Sequence, residues 1–248
     1  VVHHDAVVHA YRRAALAGGT TLWEGADVTR IRVDGGAVAG VLIRRDGGRE
    51  TEVETATVIN ATDGWSREVS RLAGVEAPNT PVRREVLVTE PSRPFMSAAV
   101  TFYRPQEGWF NQTLRGELVA GVVDPEEPPG MNQGATFGFL RRTAEMLLRK
   151  APALSRLRVI RQWGGVYDLT PDRMPLVGPV ASPRGFVQAN GWSGRGFAFA
   201  PLAAELLARW IVRGERDELL TPFDPDRFAG GGGRVETGDY YAAYGRRS

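Results

Sequence analysis

Cysteine is absent from the 248-residue chain, and histidine is almost as scarce. Without thiols there can be no disulfide bond, no thiolate metal centre, no cysteine nucleophile and no cofactor attached through sulfur. We therefore expect no metal site, and a reducing cytoplasm is the expected location. The three histidines are all among the first nine residues. No histidine is thus available as a general base in the rest of the chain.

An excess of one charge and a long apolar run are also lacking. The chain has 31 Lys and Arg against 29 Asp and Glu, so we expect no basic face for nucleic acid. No apolar run approaches the ~20 residues of a membrane span, and no secretion signal opens the chain. The hydrophobic share of 42% is enough for one large domain or two intertwined ones. Because the chain starts at Val1 and runs directly into a predicted helix, we expect a fragment or a processed subunit.

The first third of the chain predicts a helix followed by a β-meander. Apolar residues recur at helical spacing after Asp5, which predicts a helix over residues 6–17. Three strand-like runs follow, at 21–33, 37–43 and 51–59. Asp-Gly-Gly sequences between these runs are typical turn signals.

The remaining residues predict further strands and two helices. The last predicted helix has Pro201 in its first turn and Gly214 just beyond its end, the usual asymmetry of helix termini. The other predicted elements are aromatic-bearing strands within 81–123, a helix at 137–150, a strand at 159–166, a buried strand at 186–189 and a helix at 201–212. A glycine-rich tail at 230–248 is expected to be an arm or a linker.

The sequence N-G-W-S-G-R-G-F at residues 190–197, called the glycine turn below, carries the most chemical information. It lies between a predicted buried strand and a predicted helix. Its glycines permit a close approach of the backbone to a flat ligand, and a helix N-terminus offers free N–H groups to an anionic or electron-rich group. A purely structural strand-to-helix turn is the alternative. The glycine order is G-x-x-G-x-G, and the dinucleotide fingerprint G-x-G-x-x-G follows no strand in the chain, so the usual phosphate-binding unit is missing.

Five ordered motifs resemble one family of proteins. Residues 163–178, W-G-G-V-Y-D-L-T-P-D-R-M-P-L-V-G, and the glycine turn after them resemble the C-terminal signature of the D-amino-acid oxidase and sarcosine oxidase superfamily. Residues 58–66, V-I-N-A-T-D-G-W-S, resemble its second FAD motif. Three other segments, 4–7, 115–121 and 222–228, are most similar to the beta subunit of heterotetrameric sarcosine oxidase and its dehydrogenase relatives. The resemblance covers residues 1 to about 230.

This resemblance implies a mixed α/β fold, the C-terminal part of a two-domain FAD-dependent oxidoreductase. A Rossmann-like FAD domain with a β-meander would be interleaved with an antiparallel-sheet substrate domain. Residues 1–78 and 161–229 would belong to the FAD domain and 79–160 to the substrate domain. The implied reaction is oxidation of an amine or amino acid resembling sarcosine, glycine or proline, by hydride transfer to flavin N5. The implied enzyme has several chains, so a partner subunit or a missing N-terminal chain is expected.

The resemblance also assigns roles to individual residues. Arg195, Tyr167 and Trp163 are the candidate catalytic residues, with Arg195 adding positive charge beside the reduced flavin. In the beta-subunit family, a histidine at the position of His4 carries covalently attached FMN, so FMN is a possible second cofactor. The candidate cofactor-binding residues are Asn60, Ala61, Thr62, Gly64, Trp65, Gly191, Trp192, Ser193, Gly194, Arg195, Gly196, Phe197 and His4.

Two positions depart from the family pattern. Ala198 stands where the family usually has a lysine that holds the substrate carboxylate, so Arg195 compensates or the substrate differs. Asp63 stands where the second FAD motif generally has glycine, and a carboxylate pointing inward would repel a diphosphate. Two alternatives therefore stay open: a noncatalytic homologue that acts as an assembly scaffold, and the C-terminal half of a single-chain glycine or D-amino-acid oxidase.

Overall fold

The computed structural model describes residues 4–45, 48–103 and 107–228, so the tail predicted at 230–248 lies outside the described residues. In chain order the helices are α1 (His4–Ala17), α2 (Ser66–Leu72), α3 (Phe137–Lys150) and α4 (Gly196–Arg213). The strands are β1 (Asp27–Asp34), β2 (Ala37–Arg44), β3 (Glu50–Glu54), β4 (Val58–Asn60), β5 (Thr80–Pro91), β6 (Val100–Phe102), β7 (Gly108–Gln112), β8 (Glu117–Val122), β9 (Val159–Leu169), β10 (Leu176–Pro179) and β11 (Phe186–Asn190). Short 3-10 helices occupy Asp63–Trp65, Pro152–Arg156, Glu218–Phe223 and Pro225–Phe228. No helix in these ranges is both long enough and apolar enough to cross a bilayer.

The predicted meander is confirmed for β1, β2 and β3, which form an antiparallel sheet in that order. The prediction was wrong for residues 21–23, which form no strand, although Trp23 packs against the guanidinium of Arg45. It was also wrong to extend one strand over 51–59. The hydroxyl of Thr55 bonds with the N–H and carbonyl of Thr57, a local turn that ends β3 and directs β4 into another sheet.

A second sheet has the order β10-β11-β4 and contains the one parallel pair among the described strands, β11 with β4. Helix α4 covers this sheet through Leu206 and Leu207, which pack with Val177, Val187 and Leu220. The apolar residues Leu176, Val177, Phe186 and Val187 explain much of this burial, and the polar Gln188 and Asn190 of β11 are buried as well.

The third sheet is antiparallel, with the order β6-β7-β8-β5-β9. Helix α3 has the predicted bounds and is preceded by its N-cap Thr136, whose hydroxyl accepts a hydrogen bond from Phe139 N–H at 3.2 Å. One face of the sheet packs on α3 through Leu87, Leu118 and neighbouring apolar residues. Because side chains alternate along each strand, the other face remains available to line a cavity.

Helix α4 begins earlier than its sequence predicts. It starts at Gly196, so Pro201 lies inside the helix and the prediction that Pro201 occupies the first turn was wrong. The predicted end is confirmed, since Gly214 follows the last helical residue with a left-handed φ of 74°. The last residues of the glycine turn therefore form the first turn of α4.

Candidate active site

Two loops leave neighbouring strands at the same edge of the second sheet. Strands β4 and β11 are parallel, and Gln188 pairs with Asn60. The residues after β4, 61–65, and those of the glycine turn after β11 therefore start side by side. Carboxyl ends of adjacent parallel strands are where α/β sheets usually bind ligands.

A buried polar network fixes these two loops to each other. The side-chain amide of Asn60 donates to the Ser66 carbonyl at 2.8 Å and to the Ser70 hydroxyl at 3.0 Å. Its carbonyl accepts a hydrogen bond from the Thr62 hydroxyl at 2.6 Å. The side chain of Asn190 donates to the Asn60 main-chain carbonyl at 3.2 Å. Asn60 is 1% exposed, so its side chain positions the loop from below.

Asp168, near the end of β9, connects three separate segments. Its Oδ2 accepts hydrogen bonds from the Ser66 hydroxyl at 2.7 Å, the Asn79 side-chain amide at 2.6 Å and the Gly191 N–H at 2.9 Å. Burial raises the pKa of Asp168, and these three hydrogen bonds oppose the increase because they stabilise the carboxylate. Asp168 thereby connects the glycine turn to Ser66, at the end of the segment 58–66.

The glycines of the turn are required by packing inside the chain. Gly191 and Gly194 have φ values of 71° and 88°. An added Cβ would lie 2.5 Å from a methyl of Thr170 at Gly191, and 2.4 Å from the ring of Tyr167 at Gly194. The expectation that these glycines leave room for a flat ligand is corrected for both positions, because side chains of this chain fill that room.

The N-terminus of α4 has no side-chain cap. Among the described residues, the N–H groups of Gly196 and Phe197 have no hydrogen-bond acceptor. Arg195 precedes them, and its Nη1 donates to the Arg173 carbonyl at 2.8 Å. Two orphan donors, the positive end of the helix dipole and a guanidinium are thus gathered at one place.

A cavity of about 250 Å³ lies between the third sheet and the glycine turn. Trp163 and Tyr167 line it from β9, and Ser193 and Arg195 line it from the turn. The structure therefore brings together all three candidate catalytic residues, Trp163, Tyr167 and Arg195. Burial raises the pKa of the Tyr167 phenol, so this side chain is a neutral hydrogen-bond donor at neutral pH.

Sequence reasoning missed Arg84, which lines the same cavity from β5. Burial lowers the pKa of Arg84, and the nearby charge of Arg173 lowers it further. A signal was present in the sequence. Arg84 lies between Val82 and Val86 in a strand pattern, so the three side chains share one face.

The other candidate cofactor residues are distributed around the two loops. Ala61 and Trp192 line an apolar groove of about 400 Å³ beside α4. Gly64 is buried, and an added Cβ there would lie 2.9 Å from Val166. The second-motif residues Thr62 and Trp65 and the turn residues Gly194 and Phe197 are exposed, whereas Gly191 is buried and Ser193 and Gly196 are half-buried.

His4 does not line the cavity or the apolar groove. Its side chain is 76% exposed at the start of α1, and its Nε2 lies 3.2 Å from Asp5 Oδ1.

Asp63 occupies the left-handed turn after β4, with a φ of 45°. Its carboxyl is half-buried, and this burial together with the nearby charge of Asp168 raises its pKa to about 6. Asp tolerates this conformation better than most residues other than glycine. The position therefore keeps the conformation that favours glycine, but it carries a titratable group.

Comparison with known proteins gives a consistent result. The family model described as "FAD dependent oxidoreductase" (DAO) matches residues 1–210. Sarcosine oxidase subunit beta from Rhizobium meliloti is 32% identical over 93% of this chain and 53% of its own length. The homologous subunit from Rhodobacter capsulatus is 29% identical over 92% of this chain and 53% of its own length. The chain thus spans about half the length of these curated relatives.

Solved structures share the fold. The crystal structure of L-proline dehydrogenase from P. horikoshii superposes with a TM-score of 0.84 and 27% identity, over 91% of this chain and 59% of that one. Glycine oxidase from Geobacillus kaustophilus superposes with a TM-score of 0.75 and 22% identity, over 88% of this chain and 56% of that one. These likenesses confirm the mixed α/β fold with antiparallel sheets.

Proposed function

The chain belongs to the DAO family of FAD-dependent oxidoreductases, and on this premise we propose that it supplies the flavin-facing part of an enzyme that oxidises an amine or an amino acid. The observation that carries the proposal is the cavity lined by Trp163, Tyr167 and Arg195, because Arg195 directly precedes the uncapped N-terminus of α4. The substrate class follows from relatives named for sarcosine oxidation and a structural neighbour named for proline dehydrogenation.

The described residues fit one edge of FAD. The N–H groups of Gly196 and Phe197, which have no acceptor among the described residues, match the carbonyl-bearing pyrimidine edge of an isoalloxazine. Asn60 and Asp168 hold the two surrounding loops in place. This chain does not offer a comparable binding site for the diphosphate, because its sequence contains no G-x-G-x-x-G turn.

When bound, FAD supplies the acceptor for the two electrons removed from the carbon next to nitrogen. The residues of this chain contribute position and electrostatics. Trp163 and Tyr167 form an aromatic wall that orients the substrate and excludes water. Arg195 and the α4 dipole stabilise the negative charge that develops at the turn.

We propose that further polypeptide completes the site. The first relatives are named as subunits, and this chain matches about half of their length. Ile59 is 49% exposed on β4, whose outer edge is unpaired among the described strands. Either a partner subunit or a phosphate-binding N-terminal part is therefore required for a complete FAD domain.

The proposal is tested by the visible absorption spectrum of the protein purified in its native assembly. We expect the spectrum of oxidised flavin, and we expect it to bleach anaerobically when an N-methyl amino acid is added. Arg195→Ala should slow this bleaching if its charge supports the reduced flavin. Folded protein without flavin would favour the scaffold alternative, and a longer intact chain that carries both halves would favour the single-chain oxidase.

Covalent FMN on His4 is a separate proposal that rests on the family resemblance and is compatible with an exposed imidazole. Intact mass spectrometry of the denatured subunit tests it. We expect the wild type to have an added mass of one FMN less the two hydrogens that are lost when the flavin–histidine bond forms, and His4→Ala to have no added mass. His9→Ala is the matched control and should keep the added mass.

A further inference from the structure

Arg84 faces the cavity from the third sheet and has no role in the proposal above. Along β5, Arg84, Glu85 and Val86 all line the cavity. Because side chains alternate along a strand, the Glu85 side chain lies on the face opposite to that of Arg84 and Val86. There the Glu85 carboxylate accepts hydrogen bonds from the Thr136 N–H at 2.5 Å and from the Gln162 side chain at 3.0 Å. The Glu85 carboxylate is thus bonded to Thr136 and Gln162, and it does not neutralise Arg84.

Open space adjoins the guanidinium of Arg84. Its cross-strand neighbour on β9 is Gly165, and an added Cβ at Gly165 would meet no atom within 4 Å. The Arg84 guanidinium carbon lies 5.8 Å from the centre of the Tyr167 ring. The guanidinium is therefore close to an aromatic ring, and the glycine that faces Arg84 leaves room for a small group.

Arg84 forms no ion pair with any described residue. Its recorded hydrogen bond is from Nη1 to the Arg83 carbonyl at 2.9 Å. The adjacent Arg83 is a useful contrast, because it makes two bonds to the Glu127 carboxylate at 3.0 and 2.9 Å. Guanidiniums have five N–H donors in a fixed fork, so most donors of Arg84 remain for a ligand.

The residues that line the cavity include more arginines than carboxylates. Burial and the nearby charge of Arg173 both lower the pKa of Arg84, which means that its charged form is disfavoured by its surroundings. Arg195 adds a third cation to the lining. The lining contains two carboxylate residues, Glu85 and Glu107. The Glu85 carboxylate is hydrogen-bonded on the opposite face of the sheet, and Glu107 attracts Arg84 without forming an ion pair among the described residues. A bound anion would relieve both the desolvation and the repulsion.

We propose that Arg84 is the specificity-determining residue that binds the substrate carboxylate, from the sheet side of the cavity. The substrate is then an amino acid and not a simple amine, an inference that rests on the proposed amine oxidation. It also explains Ala198, because a bidentate guanidinium on the opposite wall replaces the lysine usual at that position. In this chain the substrate carboxylate would then be bound from β5, and not from the loop after the glycine turn where the family usually has a lysine.

The test compares Arg84→Met with wild type in the flavin-loaded native assembly, with two substrates and one inhibitor. Sarcosine has a carboxylate, N-methylethylamine lacks one, and methoxyacetate has a carboxylate but cannot be oxidised. We expect Arg84→Met to lower kcat/KM for sarcosine on the order of 10- to 100-fold, to weaken methoxyacetate binding by a similar factor, and to leave kcat/KM for N-methylethylamine unchanged. Arg84→Lys should recover part of the loss, and Arg156→Met, at an exposed arginine, is the matched control.

Each failure has a separate signature. Equal losses with both substrates would overturn the inference in favour of a structural role for Arg84, and unchanged sarcosine kinetics would overturn it outright. If the wild-type flavin were reduced by neither substrate, the proposed function would fail. Methoxyacetate binding, followed through tryptophan fluorescence, would still decide whether Arg84 holds a carboxylate.

Discussion

At the scale of single residues, Asp63 makes the stability of the protein depend on pH. Its pKa of about 6 in the folded protein lies above the usual 3.8, so the folded state favours the protonated carboxyl. The stabilisation is complete below the usual pKa and is lost as the pH rises through about 6. Above that pH, the ionised Asp63 is a cost to the folded state.

Asp63→Asn should therefore stabilise the protein by up to about 1–2 kcal/mol at about pH 8, after discounting for partial exposure. The gain should shrink towards about pH 4, where Asp63 is protonated in the fold. Denaturant unfolding at both pH values measures it. Asp27→Asn, at an exposed carboxylate on β1, should change stability little at either pH. A gain of equal size at both pH values would show that the charge of Asp63 is not the cause.

A second prediction at this scale concerns the effect of a side chain at Gly194 on stability. An added Cβ would collide with the Tyr167 ring at 2.4 Å, and the φ of 88° disfavours any side chain. We expect Gly194→Ala to cost about 1–3 kcal/mol of unfolding free energy. In a Tyr167→Ala background the cost should fall to about 1–2 kcal/mol, the backbone share alone.

Gly165→Ala provides the control for this measurement, because its Cβ would meet no atom within 4 Å. The double-mutant cycle compares wild type, Gly194→Ala, Tyr167→Ala and the double variant, and thermal or denaturant unfolding measures the stability of each. Identical costs of Gly194→Ala with and without Tyr167 would refute the contact between them.

Individual residues also show what the sequence could and could not reveal. Trp163, Tyr167 and Arg195 were predicted as catalytic residues from motifs, and the fold brings them to one cavity. Arg84 was missed because its significance depends on Gly165, a partner 81 positions away that only the strand register supplies. Local sequence patterns predict the backbone conformation of a segment. They do not predict which side chains are neighbours across a sheet, because these depend on strand order and register.

At the scale of elements, helix α4 contains Pro201 as its sixth residue. A proline there cannot donate the hydrogen bond to the carbonyl four residues earlier, that of Phe197. Pro201→Ala should raise the unfolding free energy by about 1–3 kcal/mol. Pro152→Ala, at the first position of a short helix, should have little effect because that N–H needs no partner. An unchanged stability of Pro201→Ala would mean that α4 already compensates for the missing bond.

The elements also divide into those fixed by local signals and those that are not. Helix α3 and the end of α4 were predicted correctly. Thr136 is a favourable N-cap residue for the start of α3, and Gly214 is a favourable residue for the end of α4. The start of α4 was misplaced because Pro201 imitates a first-turn proline. The break between β3 and β4 was missed because both halves read as strand, and only parallel pairing with β11 separates them.

At the scale of the whole molecule, flavin retention is the property most sensitive to the missing phosphate-binding turn. We expect the 248-residue chain, produced alone, to retain no FAD through gel filtration. In the proposed site, this chain offers N–H donors to the pyrimidine edge of the flavin but no phosphate-binding turn for the diphosphate. The ratio of visible to ultraviolet absorbance of the protein peak measures this. A stoichiometric yellow peak would show that another part of the chain binds the diphosphate.

The most direct measurement is an experimental structure of the flavin-loaded native assembly. The account predicts that a pyrimidine oxygen or N1 of the isoalloxazine lies within about 3.2 Å of the Gly196 or Phe197 N–H, with the cavity of Trp163 and Tyr167 open to the ring. An isoalloxazine bound elsewhere, with α4 beginning against other polypeptide, would contradict it.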